Sequence, residues 1–312
     1  MKTILCSSIT LILFLASCKK SGTTTSDPTP PPVSPSAIVL DKFVEIDTTL
    51  VAPKDTVVKY LFTYDASGRV IMVGDYEFYP NGDTSYYYIV KHTYSGTDTT
   101  ATKTTGIEKD LSTSIPKFHY DTIYHTYLNG RNIKDSLLTG ADSYTLTRHT
   151  YLSNGNIAES ETGYSTNIAI HDNSCVYYQT KLNGNIVYQV DTTREINYPL
   201  GPGVLQTIRY ETTVSYLTNP NPFNKVLTPI KQEHFDHREA GSFEYIAAAP
   251  TNLIQQRADN TKWWGASASG TYTEQISFAY TFRSDGYPLI ERRTNIVNGV
   301  PSKQRKFLYF YK

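Results

Sequence analysis

Residues 56–70 read Thr56-Val57-Val58-Lys59-Tyr60-Leu61-Phe62-Thr63-Tyr64-Asp65-Ala66-Ser67-Gly68-Arg69-Val70. Val58, Tyr60, Phe62 and Tyr64 fall at every second position, which places them on one face of an extended strand. Asp65 to Gly68 then form a turn signal, and Val70 opens a return strand. The same alternation recurs in Tyr86, Tyr88, Val90, His92 and Tyr94, and again in Ile276, Phe278, Tyr280 and Phe282. Asn81-Gly82, Asn129-Gly130, Asn154-Gly155, Asn183-Gly184, Asp285-Gly286 and Asn298-Gly299 separate such runs, and these dipeptides tolerate the backbone of tight hairpins. An all-β domain is predicted, an antiparallel meander of repeated hairpins that is strongly curved or closed into a barrel.

Composition agrees with that reading. The 312 residues include 26 tyrosines and only 2 methionines, a mixture that favours pleated, half-buried strands over helices. Acidic and basic residues number 29 each, so the chain has no overall charge with which to hold a phosphate backbone, and nucleic acid is not an expected partner. Of Cys6, Cys18 and Cys175, only Cys175 falls in the body, where one thiol has no intramolecular partner and reads as a small buried hydrophobe beside Val176.

The first residues have a separate character. Lys2 precedes an apolar run from Ile4 to Ala16, which is too short for a permanent bilayer span and of the length a secretory signal needs. It ends at Leu15-Ala16-Ser17-Cys18, which resembles the lipobox of bacterial lipoproteins. The resemblance implies a signal peptide over 1–17 and diacylglycerol on Cys18. Residues 18–37 then read as a Pro/Ser/Thr-rich tether, which fully extended would reach on the order of 50 Å. Two or more acyl chains give stable anchoring. Lys19 after the modified position suits the outer membrane under the enteric sorting rule; the periplasmic and the surface face both stay open. A single domain is expected over 38–312.

Several hairpins are copies of one another. Phe62 to Val70 aligns with His149 to Ile157 and with Tyr280 to Pro288, each with an aromatic residue four positions before a glycine. His125 to Ile133 is a shortened copy. One supersecondary unit used many times is implied. The Tyr64-Asp65…Gly68-Arg69-Val70 copy resembles the tyrosine-aspartate (YD) repeat of large secreted bacterial shell proteins, and the other copies lose the aspartate. The layout as a whole is similar to bacterial lipoproteins grouped as a domain of unknown function with a porin-like fold. That resemblance implies a many-stranded curved or closed sheet and carries over no activity and no functional residue.

Whether the barrel crosses a membrane turns on its outer face. Lys59, Lys91, Asp75 and Glu77 are expected there, and basic groups at mid-bilayer cost about 2–4 kcal/mol each. The last segment, Lys306-Phe307-Leu308-Tyr309-Phe310-Tyr311-Lys312, suits either a barrel-closing strand or a charged edge strand.

Catalytic signatures are absent from the linear sequence: no phosphate loop, no nucleophile elbow and no recognisable carboxylate pair. No cofactor or metal is expected. Glu233-His234-Phe235-Asp236-His237 has two histidines three apart, but on a strand these project to opposite faces. His92, His125 and His149 each open a His-Thr-Tyr triplet, and they read as edge residues filling the aromatic slot of the repeat. Trp263 and Trp264 stand beside a glycine- and serine-rich segment, where indoles on a loop would stack on sugar rings or cap the barrel end. The expectation is a cell-envelope lipoprotein whose β domain binds or scaffolds without catalysis, with a glycan or an envelope protein as partner. A carbohydrate-active hydrolase is the alternative, and an outer-membrane pore a third reading.

Overall fold

The computed structural model describes residues 38–50, 55–111, 117–138, 142–154, 156–165, 168–197, 204–227, 251–265 and 269–312. Among them run sixteen strands: β1 (Leu40–Ile46), β2 (Thr56–Tyr64), β3 (Val70–Phe78), β4 (Thr84–Tyr94), β5 (Ala101–Asp110), β6 (Lys117–Leu128), β7 (Arg131–Leu138), β8 (Ser143–Tyr151), β9 (Ile157–Ser165), β10 (Ile168–Leu182), β11 (Asn185–Asn197), β12 (Val204–Pro220), β13 (Asn252–Gly265), β14 (Ser269–Phe282), β15 (Pro288–Val297) and β16 (Val300–Tyr311). Each pairs antiparallel with its predecessor, and β16 returns to β1, so the sheet is a closed barrel. The Lys306–Lys312 segment is therefore a closing strand, with Phe43 opposite Tyr309 and Val44 opposite Leu308. One short helix, α1 (Phe223–Leu227), follows β12.

The turns explain the repeats. Asn129-Gly130, Asn183-Gly184 and Asn298-Gly299 have both residues at positive φ, between 49° and 82°, the two-residue hairpin that matches strand twist. The longer copies share another scheme. Asp65 donates its N–H to the Arg69 carbonyl, Leu152 to Asn156 and Arg283 to Tyr287, at 2.8–2.9 Å. In the first copy the Asp65 carboxylate also accepts the N–H groups of Ser67 and Arg69, both at 2.9 Å, which gives the aspartate of the Tyr-Asp pair a local role.

Strand direction gives the barrel two unlike rims. At one lie the starts of odd strands, the ends of even strands and all the repeat turns between them. Buried clusters concentrate in this half. Phe43, Tyr60, Phe62, Phe307 and Tyr309 pack with Phe223 of α1, whose ring sits 5.0 Å from Phe43 and nearly perpendicular to it. Ile186, Val214, Ile254, Ile276 and Phe278 form a second cluster, and Ile157, Cys175 and Tyr177 a third. A tyrosine clasp repeats along the same rim. Tyr64, Tyr94, Tyr151, Tyr216, Tyr280 and Tyr311, all on even strands, donate their hydroxyls to the carbonyls of Leu40, Val70, Asn132, Ile186, Ile254 and Pro288 near the starts of the preceding odd strands. The other half is solvated: the first four residues of β6 and the first five of β16 are exposed. β1, as an odd strand, starts at the packed rim, with Leu40 opposite Tyr311.

The face holding the buried residues is the inner one, and charge divides across the sheet. Tyr60 is buried and pairs with Asp75, and Val58 pairs with Glu77, so both carboxylates point inward. This corrects the expected outer placement of Asp75 and Glu77. A register slip between Thr63 and Tyr64 is the reason. Continued without it, the Tyr64–Val70 pair would set Gly74 against Tyr60 and turn Asp75 outward, because one inserted residue exchanges the faces of everything after it. Lys59 and Lys91 do face outward, as expected. By the same registers, and leaving aside the bulge at Asp41, the outward strand carboxylates among the described side chains are Asp172 and Glu211.

Candidate functional site

The inner wall carries the chemistry. Across β4 to β9, polar side chains from six successive strands join in one hydrogen-bonded chain. His92 Nδ1 lies 3.1 Å from Thr104 Oγ1, which lies 2.8 Å from His125 Nε2. His125 Nδ1 is 2.6 Å from Asp135 Oδ1; the other Asp135 oxygen is 3.1 Å from His149 Nε2, and His149 Nδ1 is 3.2 Å from Glu159 Oε2. Thr104 bridges His92 and His125, His125 donates to Asp135, and a doubly protonated His149 donates to both Asp135 and Glu159.

The electrostatics support that assignment. Burial pushes His92 down to about 4, with His125 adding repulsion, so it is neutral at pH 7. Burial acts the same way on His149 but is outweighed by the hydrogen bonds to Asp135 and Glu159, which raise it to about 9. Burial would raise Asp135, yet the hydrogen bonds from His125 and His149 hold its carboxyl well below the usual range. The three triplet histidines thus occupy the aromatic slot of the repeat, as expected, and are in addition linked through carboxylates. The sequence offered a signal for this only in combination with a bulge. The slip between Thr126 and Tyr127 sets Asp135, and not Lys134, against His125.

The opposite wall is paired differently. Buried Arg293 is ion-paired with Glu291, which also accepts the Tyr309 hydroxyl, and the guanidinium lies 4.1 Å from the centre of the Phe307 ring. Arg305 pairs with Glu45, and Arg257 with Asp259 at 2.7 Å. Cys175 is buried as expected, and burial pushes its thiol up to about 12, so it is no nucleophile at neutral pH.

In the solvated half two stretches of the inner wall bring aromatic and acidic residues together. Tyr86 and Tyr88 of β4 face inward beside Asp75 and Glu77. Burial and then the neighbouring Glu77 raise Asp75 to about 7. Across β12 to β14, Tyr210, Trp263 and Tyr272 share the inner face, since Trp263 pairs with Ile208 and Gly270, and Thr261 with Tyr210 and Tyr272. Gly270 is required there: a methyl group at that position would collide with the Trp263 indole. Trp264 points the other way and is 47% exposed. Both tryptophans therefore sit on β13 and not on a loop, and strand alternation splits them between lumen and exterior, so they cannot form one stacking platform.

Cys18, the signal segment, the tether and the Glu233–His237 cluster lie outside the described residues. Among the described residues no group of three or more His, Cys, Asp or Glu side chains is arranged to hold a metal ion.

No protein-family model matches the chain, and no curated protein matches it. Two solved structures are similar in layout. A porin-like protein from Bacteroides vulgatus is 12% identical over 88% of this chain and 99% of its own, with a TM-score of 0.47. A porin-like protein from Bacteroides uniformis is 11% identical over 88% of this chain and 96% of its own, with a TM-score of 0.31.

Proposed function

We propose that this protein is a lipid-anchored barrel of the cell envelope, held through Cys18, that binds a glycan in its solvated half without catalysis. The observation that carries this reading is the inward set Tyr210, Trp263 and Tyr272, aromatic faces beside Ile208 on a barrel wall that otherwise presents Thr261, Thr212, Asp259 and Glu274. Lys59, Lys91, Arg209 and Arg292 at outward positions favour a barrel surrounded by water over a pore, given what such groups cost in hydrocarbon.

The hydrolase reading has one observation in its favour, the inward Asp75, whose carboxyl is raised to about 7 by burial and by the neighbouring Glu77. Retention of the detergent-solubilised protein on immobilised envelope glycans separates the readings. The binding reading expects retention that Trp263→Ala abolishes and Trp264→Ala leaves intact, with the glycan recovered uncleaved. Absence of retention, or equal loss in both variants, removes it; cleavage lost in Asp75→Asn establishes the hydrolase.

A further inference from the structure

The outer wall from β2 to β8 carries a pattern that binding inside the barrel does not use. Its outward positions alternate ammonium groups with aromatic rings and include no carboxylate. Lys59 lies 5.5 Å from the ring centre of Tyr76, Lys109 lies 4.9 Å from that of Phe118, and Lys103 lies 5.5 Å from that of Tyr124. Phe118 and Tyr124 are 52% and 45% exposed. The acidic residues of the same strands, Asp75, Glu108, Asp121 and Asp135, all face inward. On a chain with equal acid and base, that segregation makes this wall basic. The far wall differs. Outward positions on β10 to β14 also hold rings and cations, among them Tyr178, Tyr188, Trp264, Arg209 and Lys262, but there the carboxylates Asp172 and Glu211 stand between them.

Rings interleaved with lysines match the headgroup level of a bilayer. There aromatic faces settle at the interface, and lysine stems lie along apolar surface while their heads reach phosphate. We infer that the β2–β8 wall lies against an anionic phospholipid surface, with its lysines on lipid phosphates and its rings at headgroup depth. The charge complementarity is specific to an anionic leaflet, since a neutral one offers the ammonium groups no net attraction. The inference rests on the envelope location proposed above and is independent of what the barrel binds inside.

Lysine acylation rates on the mature lipidated protein test it, with the protein on phosphatidylcholine vesicles and on vesicles that also contain phosphatidylglycerol. Flotation with the neutral vesicles reads the anchor alone, and the difference between the two vesicles reads the wall. Lys59, Lys103 and Lys109 are expected to react about fivefold more slowly on the anionic vesicles, to recover in high salt, and to lose protection in a Lys103→Glu, Lys109→Glu variant with an unchanged circular dichroism spectrum. Lys262 and Lys306, on the rest of the exterior, serve as internal controls. Equal rates on both vesicles, or uniform slowing of every lysine, overturns the inference, as does protection by a soluble acidic glycan or an envelope protein with none by vesicles.

Discussion

At the packed rim Phe43 is fully buried among Phe223, Phe307 and Tyr309, while in the other half of the same inner wall Tyr86 and Tyr88 are only half-buried. The residue types are alike and so is the secondary structure. What differs is the second layer. A closed sheet of sixteen strands encloses more space than wall side chains alone fill, and among the described residues it is the packed end that receives the helix, the repeat turns and the tyrosine clasps. The solvated end keeps polar groups on the inner wall. One end holds the fold together, and the other is where we propose that ligand binds.

Truncation tests that contrast most directly. Phe43→Ala removes a fully buried ring and is expected to lower the unfolding free energy by about 3–5 kcal/mol, whereas Tyr86→Ala, half-buried on the open half of the inner wall, is expected to lower it by about 1 kcal/mol. Denaturant titration followed by circular dichroism reads both, and a loss at Tyr86 matching that at Phe43 would mean the open end is packed after all.

The histidine chain lies between the two ends and sharpens the comparison through pH. His149 is raised from 6.5 to about 9 in the fold, so the stability it contributes is complete below pH 6.5 and is lost as pH climbs to 9. His92, lowered to about 4, acts in the opposite sense, costing stability as pH falls from 6.5 to 4. Asp75, raised to about 7, loses stability between its ordinary 3.8 and 7, so among these three groups only His149 titrates between pH 7 and 9. Unfolding free energy is expected to drop by about 2 kcal/mol across that window, and His149→Gln is expected to flatten the slope. An unchanged slope in the variant would take His149 out of the chain.

The clasps test the same contrast with the loss of a single bond. Tyr94→Phe removes one hydroxyl bond to the Val70 carbonyl and should cost about 1 kcal/mol, with amide exchange quickening near the packed rim and not at the far one. Exchange that quickens evenly would show that the clasps are not local to their rim.

Much of this was legible in advance. Alternation in Val58–Tyr64 and Tyr86–Tyr94 identified inner faces correctly, and the Asn-Gly turns at 129, 183 and 298 take the positive φ angles their residues favour. The partners of the histidines were not legible. Asp135 stands ten residues from His125, and neither residue type nor spacing says that the two touch. Nor did the tryptophan pair announce that its members face opposite ways, because their neighbours suggested a loop.

By itself the sequence determined strand period, hairpin turns and the serial repeat, since these depend on backbone sterics and on residues within a few positions of each other. Closure of β16 on β1, the filling of one rim, and which carboxylates look inward were decided only in three dimensions. The physical reason is the bulge: one extra residue, as between Thr63 and Tyr64 or between Thr126 and Tyr127, exchanges inside for outside along the paired strand, and whether the ladder slips there depends on how the aromatic that follows docks against its neighbours.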